Sequence, residues 1–291
     1  MLTSKLYNER VNFFNYAIKN FKNEKLSELV VAHKINKKIF KKVKKSALKY
    51  YNNSKKFSLI NMTPNGRLAP KVEIQKSFNE FIIEYFKLIG SIKIDKLLKN
   101  YLPPVIRYKE NNINIINKNN KNRSELPHAD SWAGWGHNYL LFLLPLAGDV
   151  KNNRVKFFHV PKNLQDNWFK KDDFTIKNKK IISKLKPIKD HYKLGYLYVA
   201  DITVPHVTIR NKNSRGRLSV DSPLQFKTKN KVLKYNLTNY ITSKRNFISI
   251  KDAKKLGKLF FFECPYKMGE HERTTGKNSK PAFVLSKKTK I

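Results

Sequence analysis

The chain has 291 residues, 40% of them hydrophobic and 12% aromatic, enough apolar side chain for a sizeable core, so disorder along its whole length is excluded. Its longest strongly apolar stretch, Tyr139 to Gly148, contains Pro145 and falls short of the about 20 residues that cross a bilayer, so no membrane span is expected. Lysine and arginine total 61 against 21 acidic residues, a net charge of +40, but only ten of the 61 are arginine.

In chain order, residues 1 to about 100 read as helical. Phe14, Ala17, Ile18 and Phe21 form one apolar stripe. Lys37 to Lys45 is a basic run on a second helix, read as a solvated face. Ile74, Phe78, Phe81, Ile82, Tyr85, Phe86 and Ile89 recur at three- and four-residue intervals, which predicts a third helix starting just after Pro70. Such stripes are packing surfaces, and no chemistry is assigned to them.

After Pro103 and Pro104 the texture changes to short β-type runs: Val105 to Tyr108, Tyr139 to Leu144, Arg154 to Val160, Tyr196 to Ile202, His206 to Arg210 and Arg217 to Val220. Many short strands without long intervening helices predict a sandwich or barrel. Asn111 to Asn122 and Asn167 to Lys189 are polar insertions within it, and from Lys227 a polar tail carries strand-like runs such as Leu259 to Phe262. The expected organisation is an α+β chain: a helical N-terminal layer over 1–104, a β core over 105–226 and a C-terminal extension over 227–291.

Seven histidines occur. One lies in His128-Ala129-Asp130, where extended backbone turns an imidazole and a carboxylate to the same side. His206, at the end of Gly195-Tyr-Leu-Tyr-Val-Ala-Asp201-Ile-Thr-Val-Pro-His206, is the best third ligand. Two histidines and one carboxylate on one face leave three coordination positions open, as non-haem Fe(II) oxygenases require. Arg217 and Ser219 follow in Arg215-Gly-Arg217-Leu-Ser219-Val. If the chain runs out from His206, turns through Asn211 to Ser214 and returns as a hairpin, they come back beside the ligands and could clamp a carboxylate.

The ordered set His128-x-Asp130, His206, then ten intervening residues and Arg217-x-Ser219 resembles the Fe(II)- and 2-oxoglutarate-dependent oxygenases. The glycine-led strand before His206 matches as well, and the resemblance covers about residues 105 to 226. It implies a double-stranded β-helix of the jelly-roll or cupin kind, Fe(II) held by His128, Asp130 and His206, and 2-oxoglutarate and O2 as cosubstrates. The cosubstrate would chelate the metal through its keto acid while Arg217 and Ser219 hold its C5 carboxylate. Hydroxylation is the default outcome; desaturation, ring closure and epimerisation start from the same hydrogen abstraction, and the intact Asp130 argues against a halogenase.

Alternatives remain at each position. His128 and Asp130 could form a surface turn, and His206 could be a barrel histidine; Arg217 could pair with Asp221. His137 and His159 are rival ligands, His159 in Lys156-Phe-Phe-His159-Val reading as barrel-facing. Arg210 and Arg215 rival Arg217 as the clamp. Trp132 and Trp135 could wall a substrate or pack a loop, and Arg107 could meet an anionic substrate group or the surface. The expected partner is a small polar or anionic metabolite such as a sugar acid or biosynthetic intermediate. A nucleic-acid partner using the +40 charge is the competing class, although lysine scattered among asparagine and isoleucine is what an A+T-rich genome writes by default. The N-terminus has charges where a signal peptide needs an apolar core, and the single Cys264 forms no intrachain disulfide, so a cytoplasmic setting is expected. Oligomeric state is not legible.

Overall fold

The computed structural model describes residues 3–20, 22–57, 66, 68, 72–101, 104–110, 127–133, 135–169, 183–211, 213–227, 260–263 and 284–287. Helix α1 (Lys5–Ile18) is capped by the Ser4 side chain, which accepts from the Tyr7 N–H; α2 (Lys37–Lys56) is capped likewise by Asn36. Helix α3 (Gln75–Ser91) follows a short 3-10 turn, and its apolar stripe is buried at Phe78, Phe81, Ile82, Tyr85 and Ile89. Phe21, the stretch 111–122 and most of the 167–189 insertion lie outside the described residues.

The N-terminal third is not helical throughout. Strands β1 (Glu24–Ser27) and β2 (Val30–Lys34) form a hairpin, and β3 (Leu98–Tyr101) follows α3. All three join one seven-stranded sheet with β4 (Val105–Lys109), β5 (Tyr139–Gly148), β7 (Tyr196–Asp201) and β9 (Arg217–Phe226). Its order is β1-β2-β7-β5-β9-β3, with β4 pairing β9 ahead of β3, and every pairing is antiparallel. A two-stranded sheet of β6 (Asn153–Phe157) and β8 (His206–Arg210) lies over one face of it, with the Phe157 ring 6.4 Å from that of Tyr198. A separate pair, β10 (Phe260–Glu263) and β11 (Val284–Lys287), is also antiparallel.

The two faces of β9 have different jobs. Leu218, Val220, Leu224 and Phe226 are buried toward the helices, Phe226 lying 6.2 Å from Phe13 of α1 and 6.3 Å from Phe142. Arg217, Ser219 and Asp221 take the other face, which by register they share with Lys109, Arg107 and Val105 of β4. The opposed two-stranded sheet covers this polar face, so Arg217 and Ser219 are buried as well.

Strands β8 and β9 are not the hairpin expected from sequence. Strand β8 pairs with β6, and the chain crosses to the other sheet before Arg217 pairs with Lys109. Asp149 shapes this crossing by accepting from the backbone N–H of Arg215, Lys151 and Asn152, and the Arg215 and Asn152 bonds hold its carboxyl down to about 2. At Gly216 a Cβ would stand 2.3 Å from the Tyr108 hydroxyl, so any other residue there would have to displace that ring. Gly148 does adopt a left-handed φ of 87°, and its missing Cβ would meet the Gly216 carbonyl at 2.0 Å.

Candidate metal and carboxylate site

His128 and His206 are joined main chain to main chain. The His128 N–H donates to the His206 carbonyl at 3.0 Å and the His206 N–H to the His128 carbonyl at 2.8 Å, which sets the rings 4.4 Å apart. Asp130 opens the short turn Asp130–Ala133, tied to the other segment by the Ser131 N–H on the Ile202 carbonyl at 3.0 Å. One ligand atom from each of His128, Asp130 and His206 then lies within 4.8 Å of the others. Among the described residues this is the one group of three or more such donors so placed. His206 Nδ1 lies 3.1 Å from the Val204 carbonyl, which can only accept, so the contact favours the tautomer that would leave Nε2 for a metal. Two imidazoles and a carboxylate suit borderline and hard divalent ions, and the set fits an iron site.

Arg217 is 2% exposed; its Nη1 donates to the Asn153 carbonyl at 3.1 Å, and the Tyr192 ring lies 5.3 Å from its guanidinium carbon. Ser219 is buried one step along the same face. An unbroken run of rings leads from His206 to this arginine: Phe157 is 6.1 Å from His206 and 6.4 Å from Tyr198, and Tyr198 stacks at 5.1 Å on Tyr192. Phe157, Tyr192 and Tyr198 escaped the sequence reading. Their signal was only that of strand aromatics, and Tyr192 sits in a loop that no periodicity marks.

Other candidates find different surroundings. Arg107 shares the face of Ser219 but is ion-paired, Nε to Asp221 Oδ2 at 2.8 Å and Nη2 at 2.6 Å. Arg210 is half-buried with Nη1 on the Glu110 carbonyl at 2.9 Å, and Arg215 is exposed. Trp132 is buried against Trp168 at 5.2 Å, and Trp168 Nε1 donates to the Thr203 carbonyl at 3.0 Å, which puts both rings behind the turn before His206. Trp135 is half-buried, its ring 5.2 Å from Tyr139. His159, read as barrel-facing, is exposed: its strand ends at Phe157, so the alternation stops short of it.

His137 is buried and stands outside the donor group. Burial, with the Arg10 guanidinium adding to it, pushes its imidazole from 6.5 down to about 4. The folded protein therefore keeps the ring neutral where the unfolded chain takes up a proton. Its contribution is complete above about pH 6.5 and is lost as pH falls toward 4, by about 3 kcal/mol at most. Urea denaturation at pH 7, 5.5 and 4.5 should show this loss in the wild type and a flatter profile in His137→Gln; equal slopes would assign the acid sensitivity to other groups.

No protein-family model matches the chain, and no curated protein does. Among solved structures it resembles the non-heme alpha ketoglutarate dependent carbocyclase SnoK from nogalamycin biosynthesis, with 11% identity, a TM-score of 0.45, and 76% of this chain and 84% of that one covered. The non-heme alpha ketoglutarate dependent epimerase SnoN from the same biosynthesis gives 11% identity and a TM-score of 0.40 over 74% of this chain and 82% of that one. AviO1 from Streptomyces viridochromogenes Tue57 gives 12% identity and 0.40 over 73% and 94%. Among the described residues, no helix is long and apolar enough to cross a membrane.

Proposed function

We propose that the chain is a non-haem Fe(II)- and 2-oxoglutarate-dependent oxygenase on a double-stranded β-helix spanning 105–226, hydroxylating a C–H bond of a small polar or anionic metabolite such as a sugar acid or biosynthetic intermediate. The observation that carries this is the convergence of His128, Asp130 and His206 together with a buried arginine and serine on the adjoining inner face. Iron held there supplies the centre at which 2-oxoglutarate and O2 react to oxidise the substrate. His128, Asp130 and His206 would hold it. Arg217 and Ser219 bind the C5 carboxylate of 2-oxoglutarate, and Tyr192, Tyr198 and Phe157 keep water from the space between. Trp135, half-buried beside the Asp130 turn, is the substrate-side wall. Incubation with Fe(II), ascorbate and carboxyl-labelled 2-oxoglutarate should release labelled CO2 and succinate slowly without substrate and faster with the right metabolite from a panel. No metal-dependent turnover of 2-oxoglutarate under any of these conditions would overturn the proposal.

The competing reading, a nucleic-acid-binding protein, has one observation in its favour. Helix α2 exposes Lys37, Lys38, Lys41, Lys42 and Lys45 and carries no acidic residue. If the lysine excess is compositional, binding to heterologous DNA and RNA should be weak, indifferent to sequence and lost steeply with added salt. Tight binding to one sequence or structure that survives high salt would favour this reading.

A further inference from the structure

Arg10 of α1 is fully buried, a charged residue on a stripe otherwise made of Leu6, Tyr7, Phe14, Ala17 and Ile18. Its guanidinium reaches two segments distant in sequence. Nε donates to Asp201 Oδ1 at 3.2 Å and Oδ2 at 3.1 Å, Nη2 also donates to Asp201, and Nη1 donates to the His137 carbonyl. Asp201 ends β7 and begins the turn that delivers His206. Its Oδ1 accepts from the Thr203 N–H at 2.9 Å and the Thr203 hydroxyl at 2.6 Å, and its carbonyl accepts from the Val204 N–H at 3.0 Å. The Val204 carbonyl in turn faces His206 Nδ1. His137 lies a few residues beyond Asp130, in a loop pinned by the Trp135 N–H on the Asp130 carbonyl at 3.2 Å.

We infer that Arg10 is a positioning residue for the metal centre: one buried guanidinium clamps the turn that carries His206 to the loop that carries Asp130, and Asp201 and Thr203 pass its hold to the His206 ring. A planar fork with donors on three nitrogens can do this, and an ammonium cannot reach both partners at once. The inference rests on the metal reading of the site, and it assigns the N-terminal helix a part in that site.

The test is Co(II) binding to the metal-free protein, followed by the visible d–d spectrum, alongside thermal unfolding without metal. Arg10→Lys keeps the buried charge and should bind Co(II) at least tenfold more weakly, with an altered spectrum, in the range typical of residues that orient metal ligands. Phe14→Leu, one turn along the same helix, should lower the melting temperature yet keep the wild-type affinity and spectrum. Thr203→Val, a near-isosteric change, should weaken Co(II) several-fold and Thr203→Ser should restore it, which gives a reading even if Arg10→Lys fails to fold. Wild-type affinity and spectrum in Arg10→Lys or Thr203→Val, or an equal loss of affinity in Phe14→Leu, would overturn the inference alone. A wild type that binds no Co(II) would overturn the metal centre itself and the inference with it.

Discussion

Alanine at Asp130 or His206 should lower Fe(II) affinity at least about a hundredfold while leaving the fold intact. Each supplies one of only three protein donors, and the remaining pair matches the geometry of no ordinary iron site. Folding should survive because the contact that brings the two segments together is a pair of main-chain hydrogen bonds between His128 and His206, which does not depend on either side chain. Asp130 is half-buried on a short turn and contributes nothing to the apolar core. His206→Ala additionally loses the contact with the Val204 carbonyl, so it should be the less stable of the two. Anaerobic Fe(II) titration of the metal-free proteins measures the effect, with unfolding curves as the control. Unchanged affinity in both variants would remove the assignment.

Arg217→Ala should weaken 2-oxoglutarate by two or more orders of magnitude. A buried guanidinium can offer a carboxylate two charge-assisted bonds, each worth about 1.5–3 kcal/mol, and about 2.7 kcal/mol is already a hundredfold. Its position is fixed from three sides, by the Asn153 carbonyl, the Tyr192 ring and pairing with Lys109. Ser219→Ala loses one neutral donor on the same face and should cost about tenfold. Arg215→Ala should cost little because Arg215 is exposed, and Arg210→Ala should fall near it because that side chain is held by the Glu110 carbonyl. Titrating 2-oxoglutarate into the four variants under anaerobic Fe(II) ranks them. A wild-type response from Arg217→Ala with a large loss in Arg215→Ala or Arg210→Ala would move the carboxylate clamp to another arginine.

The order His128-x-Asp130, His206, Arg217-x-Ser219 could be read from the chain because each short motif needs only local geometry to put its residues on one side. The stripe of α3 and the alternation in Arg217-Leu-Ser-Val-Asp were legible for the same reason, since helix and strand periods are properties of neighbouring residues. One further signal was present and went unread: Arg10 falls on the apolar stripe of α1, and a charge in that place calls for a buried partner.

Long-range pairing decided what local patterning could not. Strand β2 is five residues long and is a strand because β7, far along the chain, pairs with Val30 to Lys34. The same holds for the crossing between His206 and Arg217, which a short turn in sequence presents as a hairpin but which changes sheets because β6 and β5 are the available partners. The aromatic run joining His206 to Arg217 and the Arg10–Asp201 pair are likewise products of packing between elements. Sequence determined which residues could do the chemistry, since that is a matter of functional groups and local period; tertiary structure decided what surrounds and holds them, because pairing and burial depend on which distant segments share an edge or a face.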